Sequence, residues 1–216
     1  MKVTCILPVY NEGKTVGNVL KVLVNSKMLD NILIINDGSK DNSAKEVKKF
    51  KSKKIKFVNL KKNMGKGNAI REGIKGLKTD IVFMCDADLI RFKEQNINEI
   101  INPVIKGQVE MCMGIKDNPV RGFTFIYYVF QLAGERAMKY KDFKKIMSNP
   151  LIEGWGIESV INRYYKDRKL KVRQVGMKGV THILRAKKEG LSSLISECIH
   201  VAKTQAKMMF SKNHRT

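Results

Sequence analysis

The sequence predicts an α/β fold: a mostly parallel sheet flanked by helices. Three observations carry that reading. Apolar runs alternate four times with helical patterns in the first 90 or so residues, the rhythm of successive strand–helix–strand units. The runs are apolar at consecutive positions, as in Ile32-Leu33-Ile34-Ile35 and Ile81-Val82-Phe83-Met84-Cys85, which fits strands buried on both faces. Each run ends in a polar loop, so loops after parallel strands collect on one sheet edge, where open α/β sheets bind ligands. The pattern is that of a Rossmann-like sheet.

In chain order, Val3 to Tyr10 reads as the first strand, running into Asn11-Glu12-Gly13. Val16, Val19, Leu20, Leu23 and Val24 follow at i, i+3, i+4, i+7, i+8, one face of a helix. Ile32–Ile35 is the second strand and ends in the turn-rich segment Asn36 to Ser43. A basic helix runs to about Lys51, and Ile55–Leu60 is the third strand. Asn63-Met64-Gly65-Lys66-Gly67-Asn68 opens a helix carrying Ala69, Ile70, Ile74 and Leu77. Ile81–Cys85 is the fourth strand and breaks off into Asp86-Ala87-Asp88. Ile97, Ile100, Ile101, Val104 and Ile105 mark another helix, and Val109–Gly114 a further strand. A polar loop spans 115–122, the spacing predicts a helix over Phe123–Lys139, and residues 140–156 read as irregular. A helix from about Ile157 to Lys166 and short strands at Leu170–Val175 and Gly179–Ile183 follow. A helical stripe closes the chain: Leu191, Leu194, Ile195, Cys198, Ile199, Ala202, Ala206, Met209 and Phe210, flanked by Lys203, Lys207 and Lys212.

At 216 residues the chain suits one domain with an ample core. Its 42 Lys+Arg against 20 Asp+Glu give +22. That excess implies an anionic partner: a membrane surface, a nucleic acid or a phosphorylated substrate. Four scattered cysteines, Cys5, Cys85, Cys112 and Cys198, without a CxxC pair, read as reduced thiols. No signal peptide is expected, since the first residues enter a strand. No apolar run reaches the roughly 18 residues of a spanning helix. A cytoplasmic protein, at most peripheral at the inner face of a membrane, is the expectation.

Three strand-end loops carry the chemistry: Tyr10-Asn11-Glu12, Asp37-Gly38-Ser39 and Asp86-Ala87-Asp88. In an extended chain residues i and i+2 point the same way, so Asp86 and Asp88 would face one hard divalent cation, Mg²⁺ or Mn²⁺. A solvated acidic turn is the alternative. Asp37 would accept hydrogen bonds from a base or ribose, and Gly38 permits a tight turn at positive φ. Lys66, between two glycines at a helix start, would meet an anion on backbone N–H groups; a solvated helix-cap lysine is the alternative. Neither GxxxxGK[ST] nor GxGxxG occurs, so ATPase and dinucleotide readings gain nothing.

Pro8-Val9-Tyr10-Asn11-Glu12, Asn36-Asp37-Gly38-Ser39-x-Asp41, Asn63-x-Gly65-Lys66-Gly67 and Asp86-Ala87-Asp88 stand in the order and spacing of family-2 glycosyltransferases of the GT-A fold. The resemblance covers residues 3–115 most strongly. It implies a nucleotide-sugar donor carrying UDP or GDP, and Mg²⁺ or Mn²⁺ as cofactor. By that resemblance Pro8, Tyr10 and Glu12 line the nucleoside pocket, Asp37 contacts the base, and Lys66 lies near base or phosphate. Asp86 and Asp88 form the metal-binding D-x-D element, with Asp88 the more direct ligand and a catalytic participant through the cation.

In the second half, Gly134-Glu135-Arg136-Ala137 and Gly154-Trp155-Gly156-Ile157-Glu158 resemble the acceptor-side motifs of small, non-processive members. These are the dolichyl-phosphate mannosyltransferase-like and glucosyl-3-phosphoglycerate synthase-like enzymes. Glu158 is the candidate catalytic base for an acceptor hydroxyl; a first-turn glutamate favoured by the helix dipole is its alternative. Similar enzymes place a histidine at the position of His182 to complete the metal shell; a merely structural histidine is the alternative. Arg185 would bind the diphosphate, or is one more surface cation. The processive Gln-x-x-Arg-Trp motif is absent, which argues against long polymer synthesis.

The expected organisation is one GT-A domain over 1–216. A nucleotide-sugar part spans about 1–115, an acceptor part about 116–185, and an amphipathic C-terminal helix about 187–212. That helix packs on the domain or on a second subunit, or lies on an anionic membrane together with Phe123–Phe130. The implied reaction moves a sugar to a lipid-linked acceptor, polyprenyl phosphate or a glycerolipid, or to a small phosphorylated one. A sugar nucleotidyltransferase is one alternative. A non-catalytic basic protein binding nucleic acid or a membrane surface is the other.

Overall fold

The computed structural model describes residues 1–116, 133–153, 156–182 and 199. Its strands are β1 (Val3–Val9), β2 (Asn31–Asn36), β3 (Ile55–Asn59), β4 (Ile81–Met84), β5 (Leu89–Ile90), β6 (Met111–Lys116), β7 (Arg136–Lys139), β8 (Val172–Met177) and β9 (Thr181–His182). Its helices are α1 (Val16–Asn25), α2 (Ser43–Lys48), α3 (Lys66–Gly73), α4 (Glu94–Ile105), α5 (Tyr140–Met147) and α6 (Gly156–Asp167), with a 3-10 turn at Pro150–Ile152.

Seven strands form one sheet in the order β3-β2-β1-β4-β7-β6-β8, and β5 pairs separately with β9. Strands β3, β2, β1 and β4 run parallel, with Ile6 beside both Leu33 and Met84. The chain steps outward from β1 to β3 and then returns to lay β4 on the other side of β1. The order therefore reverses between β1 and β4, the crevice where such sheets hold ligands.

Both faces of the sheet are covered, which is why its strands are apolar at consecutive positions. On one face Cys5, Leu7, Ile32, Ile34, Ile81 and Phe83 pack with α1 and α4 residues. On the other, Ile6, Leu33, Ile35, Val82 and Met84 pack with α3, α5 and α6 residues. Val16, Val19, Leu20 and Leu23 of α1 are fully buried, and each such side chain contributes about 1.5–3 kcal/mol relative to exposure.

The structure departs from the sequence reading in the second half. The predicted helix over Phe123–Lys139 ends differently: Arg136–Lys139 is strand β7, antiparallel to both β4 and β6. The slot between those two strands offers pairing on both sides, which outweighs local helical pattern. Residues 140–156 are not irregular; they contain α5, whose Phe143, Ile146 and Met147 are buried, and the 3-10 turn. Strand β9 falls within the predicted Gly179–Ile183 strand, whereas β5 and its pairing with β9 have no counterpart in the sequence reading. The segment Phe123–Phe130, Gly154, Trp155, Arg185 and the C-terminal stripe from Leu191 to Phe210 lie outside the described residues, apart from Ile199.

Candidate functional site

The loops after β1 and β2 are tied to each other. Ser39 Oγ accepts from the Asn11 N–H at 3.0 Å, and Asn11 Oδ1 accepts from the Lys40 N–H at 2.9 Å. Asp41 accepts from the Gly13 N–H at 2.9 Å. Burial raises the Asp41 pKa, but hydrogen bonds from Ser43 and Gly13 outweigh it and hold the carboxyl below its ordinary value. Asn11 takes a left-handed φ of 53°, a conformation asparagine tolerates. Pro8, Tyr10 and Glu12 are half-buried at this edge. The Glu12 carboxylate accepts from Thr15 Oγ1 at 2.8 Å, and its backbone N–H donates to Ser43 Oγ at 2.8 Å.

Asp37 is 3% exposed, and its Oδ1 accepts from the Met64 N–H at 2.7 Å. Burial raises its pKa against the hydrogen bonds from Met64 and Gly65. It thus holds the loop that leads into α3 and sits at the end of β2, where the resemblance places the base contact. Gly38 beside it has φ +63°, and a Cβ there would lie 2.4 Å from the Lys62 carbonyl carbon, so only glycine fits the turn.

The centre of the edge is a chain of charges, half-buried at Lys66, Asp86 and Lys116 and buried at Glu135 and Glu158. Lys66 Nζ donates to Asp86 Oδ1 at 2.8 Å and to Glu158 Oε1 at 2.7 Å. Lys116 Nζ, at the end of β6, lies 3.3 Å from Asp86 Oδ2 and 3.2 Å from Glu135 Oε2. The alternation of β4 explains the geometry: Val82 and Met84 face α3 and α6, and Asp86 continues that side. Burial lowers the Lys66 pKa, but the carboxylates of Asp86 and Glu158 outweigh it and hold the ammonium well above its ordinary range. Burial likewise raises Asp86, and the ammonium groups of Lys66 and Lys116 overcome it and hold the carboxyl far below its usual range. Arg136, wholly buried, donates from Nε to the Ala133 carbonyl at 2.9 Å and from Nη1 to Asn162 Oδ1 at 3.0 Å.

Asp86 and Asp88 lie past the end of β4 rather than on one extended strand. Strand β4 ends at Met84, and Ala87-Asp88 form a turn into β5. Asp86 pairs with Lys66 and Lys116, and the Asp88 carboxylate acts on Lys116 too; Asp88 directly precedes Leu89, which stands opposite His182 in the β5–β9 register. The two residues at 88 and 182, read far apart in the sequence, are thereby brought to one corner. Among the described residues no group of three or more His, Cys, Asp and Glu gathers to hold a metal.

The Lys66 ammonium links Asp86, just past β4, to Glu158 on the first turn of α6. Glu158 is 4% exposed, so it is no solvated first-turn glutamate. Lys116 was not singled out by the sequence, because nothing separates one lysine from the chain's other cations. Among the described residues no helix is long and apolar enough to cross a membrane.

An α/β chain whose nucleotide-type loops and buried carboxylates meet at a strand-order reversal is the class defined so far. The model of glycosyl transferase family 2 matches residues 4–172, and the chain belongs to that family. It is 40% identical over 90 residues to the poly-beta-1,6-N-acetyl-D-glucosamine synthase of Staphylococcus epidermidis, over 41% of this chain and 22% of that protein. The Staphylococcus aureus (strain COL) protein of the same name is 42% identical over 90 residues, with the same coverage. The chain thus spans about a fifth of the length of these curated relatives (22%). Among solved structures, glucosyl-3-phosphoglycerate synthase from Mycobacterium tuberculosis with Mn²⁺ and UDP-glucose is similar at a TM-score of 0.77 and 18% identity, covering 95% of this chain and 78% of that one. The same enzyme with Mn²⁺, UDP and phosphoglyceric acid gives 0.70 and 19%, covering 91% and 78%. The GT-A sheet implied by the sequence motifs is the fold found.

Proposed function

We propose that the chain transfers a sugar from a UDP- or GDP-sugar to an acceptor, one sugar per reaction, with a divalent cation at the Asp88–His182 corner. The observation that carries the proposal is the β5–β9 pair, which sets His182 opposite Leu89 beside Asp88 at the edge that also holds Tyr10, Glu12 and Asp37. Pro8, Tyr10 and Glu12 line the nucleoside pocket, and Asp37 reaches the base. Asp86, whose oxygens take two ammonium groups, faces the donor rather than carrying the main load of the metal. Arg185 belongs to the same proposal as a diphosphate contact. Held there by Asp88 and His182, Mn²⁺ or Mg²⁺ would supply Lewis-acid stabilisation of the nucleoside diphosphate leaving group, which needs no proton.

Glu158, oriented by Lys66, takes the proton of an acceptor hydroxyl as its oxygen attacks the anomeric carbon. Solved structures of a similar fold hold UDP, Mn²⁺ and phosphoglyceric acid, which supports a small phosphorylated acceptor. A lipid-linked acceptor at an anionic membrane, and a dimer through the C-terminal stripe, remain part of the same reading. So does one domain over 1–216, its nucleotide part about 1–115 and its acceptor part about 116–185; β7 between β4 and β6 joins the two parts in one sheet.

The test uses three variants. Asp88→Ala and His182→Ala lose Mn²⁺-dependent binding of UDP or GDP while keeping the far-UV circular dichroism of the parent. Glu158→Gln keeps nucleotide binding and loses sugar transfer. Unchanged binding in the first two overturns the metal corner, and equal losses of binding and transfer in the third overturn the base.

A further inference from the structure

The charged cluster has an inside and an outside. Asp86 keeps 24% of its side chain exposed, Lys66 18%, Lys116 12%, Glu158 6% and Glu135 none. Asp86 is thus the member that a ligand on the sheet edge reaches first, with Lys116 and Glu135 stacked behind it. Three contacts fix its carboxylate. Lys66 takes Oδ1 at 2.8 Å, Lys116 takes Oδ2 at 3.3 Å, and Gly134 closes over the group so tightly that a Cβ there would stand 2.1 Å from Oδ2. Lys116 is in turn held by Glu135, which directly precedes β7 and follows that glycine. Both Glu135 oxygens lie against the Lys116 ammonium, Oε1 at 3.3 Å and Oε2 at 3.2 Å. A wholly buried carboxylate is costly unless it is paired, and Lys116 is the pairing cation here.

We propose that Lys116 and Glu135 are a positioning pair for Asp86: Glu135 holds the Lys116 ammonium against Oδ2, and that contact sets the angle at which Asp86 meets the donor. The assignment rests on the donor reading above. It differs from a plain stabilising ion pair in one consequence. Removing Lys116 alone strands a buried carboxylate and destabilises the fold, whereas Lys116→Met with Glu135→Gln removes both charges together and restores the fold. If the pair only stabilised, the double variant would regain full ligand binding. If it positions Asp86, the double variant folds but binds poorly.

The experiment is calorimetric titration of UDP and of GDP, each with Mn²⁺, into the wild-type chain, Lys116→Met and Lys116→Met/Glu135→Gln, alongside thermal unfolding of each. The expected result is a double variant with a Tm near the wild type's and nucleotide affinity about 10- to 100-fold weaker, the range for partners that orient a binding carboxylate. Adding Asp86→Asn to the double variant causes little further loss of affinity, because both changes act on one group. A double variant that folds and binds like the wild type overturns the positioning role while leaving the donor reading intact. A double variant that unfolds under conditions where the wild type is folded also overturns it, since the pair is then indispensable to the fold itself. A wild-type chain that binds neither nucleotide overturns the donor reading, and this assignment falls with it.

Discussion

Replacing Lys66 by methionine removes the ammonium that joins Asp86 to Glu158 and keeps nearly the same stem volume, so the packing change is small. What remains is a pair of carboxylates that had shared one cation at 2.8 and 2.7 Å. Breaking a buried ion pair from one side costs about 3–5 kcal/mol, because a charge is left without compensation. Asp86 retains Lys116 at 3.3 Å, whereas Glu158 keeps only 6% of its side chain in solvent. Arg136, whose guanidinium interacts with Glu158, offsets part of that burial, so the loss falls at the low end, about 3 kcal/mol. For a chain of this size that corresponds to a Tm lower by roughly 6–12 °C. Urea and thermal unfolding at neutral pH measure it directly. Lys66→Met/Glu158→Gln, which also removes the stranded charge, recovers most of the loss. A loss below about 1 kcal/mol, the value of an exposed pair, would refute the reasoning, as would a double variant no more stable than Lys66→Met.

Gly134→Ala pushes a methyl group to within 2.1 Å of Asp86 Oδ2. It should weaken Mn²⁺-dependent nucleotide binding at least tenfold and cost about 1–3 kcal/mol by overpacking; parent-like affinity would show that Asp86 moves freely. Glu135 gives the pH dependence. Burial outweighs the Lys116 ammonium and pushes its pKa from 4.5 up to about 7, so between those values the folded chain binds more protons than the unfolded chain. Its contribution to stability is therefore present at low pH and lost as pH rises through that window. Glu135→Gln should gain stability relative to the parent as pH goes from 5 to 8, read from urea midpoints; a difference that shrinks would contradict the shift.

The first half of the fold was legible because burial on both sheet faces forces consecutive apolar residues, and parallel order then places the loops of Tyr10, Asp37 and Asp86 together. Local pattern failed where pairing is long-range. Arg136-Ala137-Met138-Lys139 has no strand alternation of its own, yet the slot between β4 and β6 takes it. The Asp86-Ala87-Asp88 spacing suggests an extended chain carrying both acids, but β4 ends at Met84 and Ala87-Asp88 form a turn; both carboxylates still act on Lys116. His182 comes from the family resemblance; its register opposite Leu89 rests on a two-residue strand pair that no periodicity reveals. Lys116 stayed hidden because a buried lysine and a solvated one look alike in a chain with 42 Lys+Arg. Lys66 was found for its glycine-flanked place, and its two carboxylate partners come from strand β4 and helix α6, far off in sequence.

Thermal unfolding in the presence of UDP- and GDP-sugars, each in Mn²⁺ and in EDTA, tests the central claim most directly. A ligand at 100 times its Kd stabilises the folded state by about 2.7 kcal/mol. The account predicts that at least one sugar nucleotide raises the Tm in Mn²⁺, that EDTA removes the shift, and that Asp88→Ala shows none. A shift for no sugar nucleotide, or one of equal size in EDTA and in Asp88→Ala, would contradict it.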